Sequence, residues 1–284
     1  MKILITGAEG QLGREAVQLM KSRGHEVHGM GRGDLDVADP RSCMSVIDRL
    51  RPEAVLHAAA YTAVDRAETD ADTASKVNAL GSRNVAAAAE CAGAKLCYIS
   101  TDYVFDGCAD SPYGTDVLPF PLNVYGRTKL EGEHWTLSLS SRPFVVRTSW
   151  VYGQYGSNFV KTMLRLGQEG RKLTVVNDQF GCPTYTADLA GLLEQLLQTD
   201  RYSVYHASNS GACSWYGFAK AIFEESGLDQ SLLHPCSSEE YRQLARRPSY
   251  SVLSPDSLTD RGFKPLRPWR EALREFIHMW IKDK

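Results

Sequence analysis

The chain of 284 residues predicts an α/β protein: a Rossmann-type doubly wound parallel sheet with a smaller, discontinuous C-terminal lobe. Three observations predict it. Short β-branched runs alternate with longer segments of helical period as far as Trp150, the pattern of βαβ units. Gly7, Gly10 and Gly13 stand three apart between the first apolar run and the first helical one. After Gly153 the alternation loosens into helices with fewer, less regular strands.

Ile3 to Ile5 reads as a buried strand, and Leu12 to Ser22 carries the period of a helix. Glu26 to His28 is the second strand. Asp39 and Pro40 read as a helix cap and first turn, because Asp satisfies orphan N–H groups and Pro has none to lose there. That helix continues through Val46, Ile47 and Leu50. Ala54 to His57 is the third strand, followed by one long alanine-rich helix from Ala71 to Cys91. Leu96 to Ile99 is the fourth strand, Tyr125 to Leu137 a helix, and Phe144 to Arg147 the fifth strand. Beyond Gly153, Phe159 to Leu166 reads as helical, Leu173 to Val176 as extended and Asp188 to Leu197 as helical. Val204 to His206 is extended again, Tyr216 to Ser226 helical, and Trp269 to Ile281 a terminal amphipathic helix.

No repeat, low-complexity tract or flexible linker interrupts this order. Residues 1–152 are therefore expected to form the sheet-bearing domain, joined by parts of 185–200 and 244–262. Residues 153–284 are expected to be mainly a second lobe, with a site in the cleft between them. Basic and acidic residues number 32 and 34, so no basic surface for nucleic acid is implied. Seven cysteines form no CxxC pair and no zinc-spaced cluster, which fits reduced thiols in a cytoplasmic protein. The N-terminus enters its first strand directly, without the longer apolar region of a signal peptide, and no later run is long enough to span a membrane.

The glycine triplet carries the first chemistry. Glycine at position 7 permits a tight turn, at 10 close approach of a pyrophosphate, and at 13 close packing of helix on strand. The N–H groups that open the helix, from Gln11, Leu12 and Gly13, face the phosphates. A dinucleotide cofactor is expected. The second strand runs into Gly29-Met-Gly31-Arg32, with no carboxylate before Asp34 to bind a ribose 2′-hydroxyl. Arg32 can pair with a 2′-phosphate, so NADPH is expected in preference to NADH without excluding it. The alternative for Arg32 is a solvated side chain. Asp36 lies near the adenine end or orders this loop.

Tyr125 and Lys129 stand at (i, i+4) on one helix face. A tyrosine titrating near 10 needs tuning to exchange protons at neutral pH, and a neighbouring ammonium lowers its pKa. The lysine can also hold the nicotinamide ribose. A hydroxyl is wanted for the substrate carbonyl, and the end of the fourth strand offers Ser100 and Thr101. Together with the glycine loop, these residues point to nicotinamide-dependent carbonyl chemistry with Thr101, Tyr125 and Lys129 at its centre.

At this point the chain resembles the extended short-chain dehydrogenase/reductase superfamily and, within it, the dTDP-4-dehydrorhamnose reductase family. The likeness runs nearly end to end. It rests on Gly7-Ala-Glu-Gly-Gln-Leu-Gly13, His57-Ala-Ala-Ala-Tyr-Thr-Ala-Val-Asp-Arg-Ala-Glu68 and Ser100-Thr-Asp-Tyr-Val-Phe-Asp-Gly107. It continues through Tyr125-Gly-Arg-Thr-Lys-Leu-Glu-Gly-Glu133, Arg147-Thr-Ser-Trp-Val-Tyr-Gly153, Asn158-Phe-Val-Lys-Thr-Met163, Asp178-Gln-Phe-Gly-Cys-Pro-Thr184 and Arg246-Arg-Pro-Ser-Tyr-Ser-Val-Leu253.

The resemblance implies an NADPH-dependent oxidoreductase acting on a dTDP-linked 4-keto-6-deoxyhexose for polysaccharide biosynthesis, as a monomer or homodimer. Tyr125 would be the proton donor, Lys129 its tuner and ribose anchor, and Thr101 the carbonyl partner. Ala58, Ala59, Ala60, Tyr61 and Asn78 would serve the cofactor, while Thr62, Val64 and Val104 would face substrate. Trp150 would pack on the nucleotide-sugar or belong to the core between the lobes. Asn158, Lys161 and Arg247 are candidates for the pyrophosphate or sugar, with a solvated helix position as the alternative for Lys161. No metal is expected, since Glu239 and Glu240 read as solvated and no carboxylate cluster stands out. Two rivals remain: an epimerase of the same superfamily, and a non-catalytic NADP-binding regulatory subunit. A dehydratase is disfavoured, because Thr101 is followed by Asp102 and Tyr103 rather than an Asp-Glu pair.

Overall fold

A computed structural model of the chain describes residues 1–282. Six strands make the main sheet: β1 (Lys2–Thr6), β2 (Glu26–Met30), β3 (Ala54–His57), β4 (Lys95–Thr101), β5 (Pro143–Thr148) and β6 (Ser203–His206). Their order is β2-β1-β3-β4-β5-β6, and every pairing is parallel. A parallel sheet is covered on both faces, which is why β1, β3, β4 and β5 read as near-continuous apolar runs.

One face packs Ile3, Ile5, Leu56 and Val146 against α1 (Gln11–Ser22) and, later in the chain, α6 (Thr186–Leu197). The other packs Leu4, Val55 and Leu96 against α2 (Pro40–Leu50) and the helical rod that ends at Cys91. Each fully buried Leu or Ile contributes about 1.5–3 kcal/mol, so these layers hold the strand ends in fixed positions.

The long helix expected from Ala71 to Cys91 is one rod, α3, but not a uniform one. Ala71–Ser75 is α-helical, Lys76–Leu80 is a π turn, and Gly81–Cys91 is α-helical again. A π turn carries an extra residue and redirects the side chains around it. Asn78 lies at the middle of this turn and is buried.

The extended run expected at Val204 to His206 is β6, paired with β5 at Val204 and Val145. The main sheet thus draws on chain beyond Gly153. The remaining helices, α4 (Val124–Leu139), α5 (Phe159–Gln168), α7 (Trp215–Ser226) and α8 (Trp269–Lys282), divide between the two parts. α4 lies on the sheet, while α5, α7 and α8 surround a second core built from Tyr152, Val160, Phe218, Ile222 and Phe276. Leu173–Val176 is extended as expected and pairs in parallel with Leu233–Cys236.

The strand order reverses between β1 and β3, because the chain leaves β1 toward β2 on one side and returns to β3 on the other. Open α/β sheets bind ligands at the C-terminal strand ends beside such a reversal. The loops that follow β1 and β3 meet at this crevice.

Candidate active site

After β1 the chain turns through Gly7 at φ +65°. A Cβ there would come within 2.6 Å of Ala59 N, so only glycine lets the two loops touch. A Cβ on Gly13 would strike the Gly7 carbonyl, which seats α1 directly under the turn. Gly10 N donates to Gly7 O at 2.9 Å and Gly10 is the N-cap of α1. That cap has no side-chain hydrogen bond and the first turn carries no acid. The helix N-terminus therefore offers its N–H groups and positive dipole end to an anion, the requirement for a diphosphate.

A directed chain of hydrogen bonds fixes the opposite wall. Ala59 N donates to Thr6 Oγ at 3.2 Å, and Thr6 Oγ lies 2.7 Å from His57 Nδ1. His57 Nε2 lies 3.2 Å from Ser82 Oγ, which donates to Asn78 O at 2.6 Å. Since the Ser82 proton is used on Asn78, His57 must donate from Nε2 and accept from Thr6 at Nδ1. Burial, with the Lys129 charge adding to it, pushes His57 down to about 3 and keeps it neutral. The Asn78 amide then clamps Tyr61 from both sides: Tyr61 N donates to Asn78 Oδ1 at 2.8 Å, and Asn78 Nδ2 donates to Tyr61 O at 3.1 Å. Asn78 Nδ2 also donates to Thr128 Oγ at 3.1 Å. The π turn thus ties the loop after β3 to the helix that carries Tyr125 and Lys129.

Asn123 caps α4 by accepting from Gly126 N at 2.8 Å, which fixes where the first turn places Tyr125. Thr101, at the end of β4, interacts with the Tyr125 hydroxyl. Burial pushes the Tyr125 phenol up to about 12, opposed by Thr101 and reinforced by Asp102. This departs from the expectation that Lys129 lowers it. Lys129 is itself fully buried, with Nζ 4.1 Å from the Tyr98 ring centroid, and burial lowers it to about 7 against the pull of Glu133. In this geometry Tyr125 holds its proton throughout the neutral range, the state a proton donor needs.

Gly7, Gly10, Gln11, Leu12, Gly13, Ala58, Ala60, Thr62, Val64, Thr101, Tyr125, Lys129 and Trp150 line one cleft of about 530 Å³. The sequence reading missed several of its other lining residues. Trp215 stacks on Trp150 with ring centroids 3.6 Å apart, and Trp150 holds φ +46°, a conformation that bulky residues rarely adopt. Thr148, at the end of β5, lines the cleft with a buried Oγ that has no hydrogen-bond partner among the described residues. Asp102 lines it too, 3% exposed. Strand-end position was the available signal for Thr148 and Asp102. Trp215 is brought in from 65 positions away, and no local pattern marks it.

Four residues expected at the substrate stand elsewhere. Val104 is fully buried in a cluster with Phe105, Tyr113 and Leu253, because the short 3-10 turn Asp102–Val104 points it into the core. Asn158 spends its side chain on Lys161 N, Gln11 Oε1 and Gly153 O, so it supports the cleft wall through Gln11. Lys161 donates to Gln154 O and Gly156 O and lies over the Trp280 ring, tying down the loop before α5. Arg247 makes a two-pronged pair with Asp65 at 3.0 and 2.7 Å beside the cleft. Of the two readings for Asp36, loop ordering is visible: its carboxylate accepts from Ala38 N at 3.0 Å. Arg32 is exposed beyond β2, where the neighbouring Gly31 packs against the Glu9 carboxylate.

A profile of the RmlD substrate binding domain matches residues 1–281. The spore coat polysaccharide biosynthesis protein SpsK of Bacillus subtilis (strain 168) is 44% identical over 97% of this chain and 96% of that protein. A dTDP-4-dehydrorhamnose reductase of Aggregatibacter actinomycetemcomitans is 39% identical over 96% of this chain and 97% of its own. Among solved structures, dTDP-4-dehydrorhamnose reductase from Bacillus anthracis str. Ames, in complex with NADP, superposes with a TM-score of 0.96. It is 43% identical and covers 98% of this chain and 100% of that one.

Proposed function

The chain belongs to the RmlD substrate binding domain family, and on that footing we propose that it reduces the C4 keto group of dTDP-4-dehydro-L-rhamnose with NADPH, yielding dTDP-L-rhamnose for polysaccharide biosynthesis. The observation that carries this reading is the meeting of Thr101, Tyr125 and Lys129 in one cleft with the glycine cradle of α1. The uncapped N-terminus of α1 suits the cofactor diphosphate, and the Thr148 hydroxyl is a spare polar group for the nicotinamide end.

When bound, the reduced nicotinamide supplies the hydride. Tyr125 donates its proton to the substrate oxygen as carbonyl electrons move onto it, and Thr101 hydrogen-bonds the same oxygen. Lys129 holds the ribose, and its buried position beside the Tyr98 ring leaves it few alternative orientations. Trp150 and Trp215 form an apolar wall for the nucleotide-sugar, while Thr62 and Val64 face it from the loop after β3. Residues 153–284 then supply mainly substrate contacts, and residues 1–152 the cofactor site. The seven cysteines are free, in keeping with a cytoplasmic protein. No helix among the described residues is long and apolar enough to cross a membrane.

The test is NADPH oxidation with dTDP-4-dehydro-L-rhamnose, run beside its other 4-keto isomers. One NADPH consumed per sugar reduced supports the reductase. Sugar interconversion without net oxidation means an epimerase, and cofactor binding without turnover means a regulatory subunit.

A further inference from the structure

The Thr101 hydroxyl has one proton and several claimants. Its Oγ accepts from Tyr103 N at 3.1 Å and lies 3.1 Å from Asp102 Oδ1, with the Tyr125 hydroxyl also interacting. The other Asp102 oxygen accepts from Ser251 Oγ at 2.6 Å. An ionised Asp102 can only accept, and in the arrangement seen here Thr101 gives Oδ1 its single proton and has none left for a substrate. With a proton on Oδ1 the bond reverses. Asp102 then donates to Thr101, whose two lone pairs are filled by Asp102 and Tyr103. The Thr101 proton is released toward the cleft, and Tyr125, finding no free lone pair on Thr101, points its proton there as well.

We infer that Asp102 is a positioning residue for the reduction: in its protonated form it donates to Thr101 Oγ and turns the Thr101 hydroxyl toward the substrate carbonyl oxygen. This rests on the reductase reading given above. Asp102 keeps its proton through turnover, and the proton transferred is that of Tyr125. Burial supports the arrangement by raising Asp102 to about 7, against hydrogen bonds from Ser251 and Thr101. The groups that face it are Tyr103 on its own turn, Tyr125 on α4 and Cys182 on the loop before α6. Arg247 interacts with Tyr103, and Lys129 lines the same cleft. An ionised Asp102 would also oppose the negative charge that develops on the substrate oxygen.

The experiment is kcat against pH for the full chain and for Asp102→Ala, Asp102→Asn and Ser251→Ala, with NADPH and dTDP-4-dehydro-L-rhamnose. The parent should fall on the alkaline side as Asp102 ionises, to the level of Asp102→Ala or below it. Asp102→Ala should fall at least about tenfold below the parent's acidic plateau and show no alkaline fall of its own, since one orienting donor is gone. Asp102→Asn, whose amide donates at every pH, should recover most of that loss and show no alkaline fall. Ser251→Ala removes a bond that favours the carboxylate and should move the fall to higher pH. An Asn variant that keeps the parent's fall would overturn the proposal in favour of Lys129, and one no better than the Ala variant would overturn it in favour of the charge. A parent that consumes no NADPH with this sugar would sink the reductase reading itself. Difference infrared spectra then decide the Asp102 proton separately: a protonated carboxyl band near neutral pH that vanishes on alkalinisation is expected, and its absence contradicts the proposal.

Discussion

Glu133 and Arg147 form a two-pronged ion pair inside the protein, Arg147 Nε to Oε1 at 2.9 Å and Nη2 to Oε2 at 2.7 Å, with both side chains buried. Ser100 Oγ donates to the same Oε1 at 2.5 Å. The pair joins α4, one turn beyond Lys129, to β4 and β5, so the catalytic helix and the strand that ends in Thr101 are held by one carboxylate.

Removing one partner leaves an uncompensated buried charge. Glu133→Ala should therefore cost about 3–5 kcal/mol of unfolding free energy, read by urea denaturation. A loss below about 1 kcal/mol, the range of exposed pairs, would mean that the pair does not anchor α4.

Arg32 is exposed two residues beyond β2, and the proposed NADPH preference assigns it to the 2′-phosphate. Arg32→Ala should weaken NADPH binding and leave NADH nearly unchanged, measured by fluorescence titration of both. Loss of a charge-assisted hydrogen bond is worth about 1.5–3 kcal/mol. Equal losses for both cofactors would remove Arg32 from the phosphate site.

His57 is neutral in the fold, pushed down to about 3 by burial. Its folded value lies below its unfolded one, so the unfolded chain binds the proton first and stability falls as pH drops through about 6.5 toward 3. Between about pH 7 and about pH 5 this group alone should cost about 2 kcal/mol. His57→Gln should be less acid-sensitive than the parent by that amount over the same interval. An identical loss in both chains would contradict the buried neutral imidazole.

Lys129→Met should lower kcat and weaken NADPH together, because it removes a buried cation that both faces the cleft and is assigned to the ribose. A fall in kcat with unchanged NADPH affinity would confine Lys129 to proton chemistry.

What the sequence disclosed was local. Gly7, Gly10 and Gly13 act within one turn, Tyr125 and Lys129 within one helical face, and strand alternation within each βαβ unit, so each is written in neighbouring residues. The π turn at Lys76–Leu80 was hidden, since inserting one residue per turn leaves composition and approximate period unchanged. Long-range partners were hidden as well. Arg247 stands 182 positions from Asp65, which takes its guanidinium, and Lys161 is held by carbonyls of a loop whose path no motif records. The raised Tyr125 pKa was misjudged because burial, the largest of the causes acting on it, was left out of the reading.

The central claim is that Tyr125 is the acid of a hydride reduction, and Tyr125→Phe tests it most directly. Its kcat for NADPH oxidation with dTDP-4-dehydro-L-rhamnose should fall by about 10²–10⁴, while NADPH affinity, titrated on the same preparation, stays near that of the parent. Near-normal turnover in Tyr125→Phe would contradict the assignment, and an equal collapse of turnover and cofactor binding would make Tyr125 a structural residue.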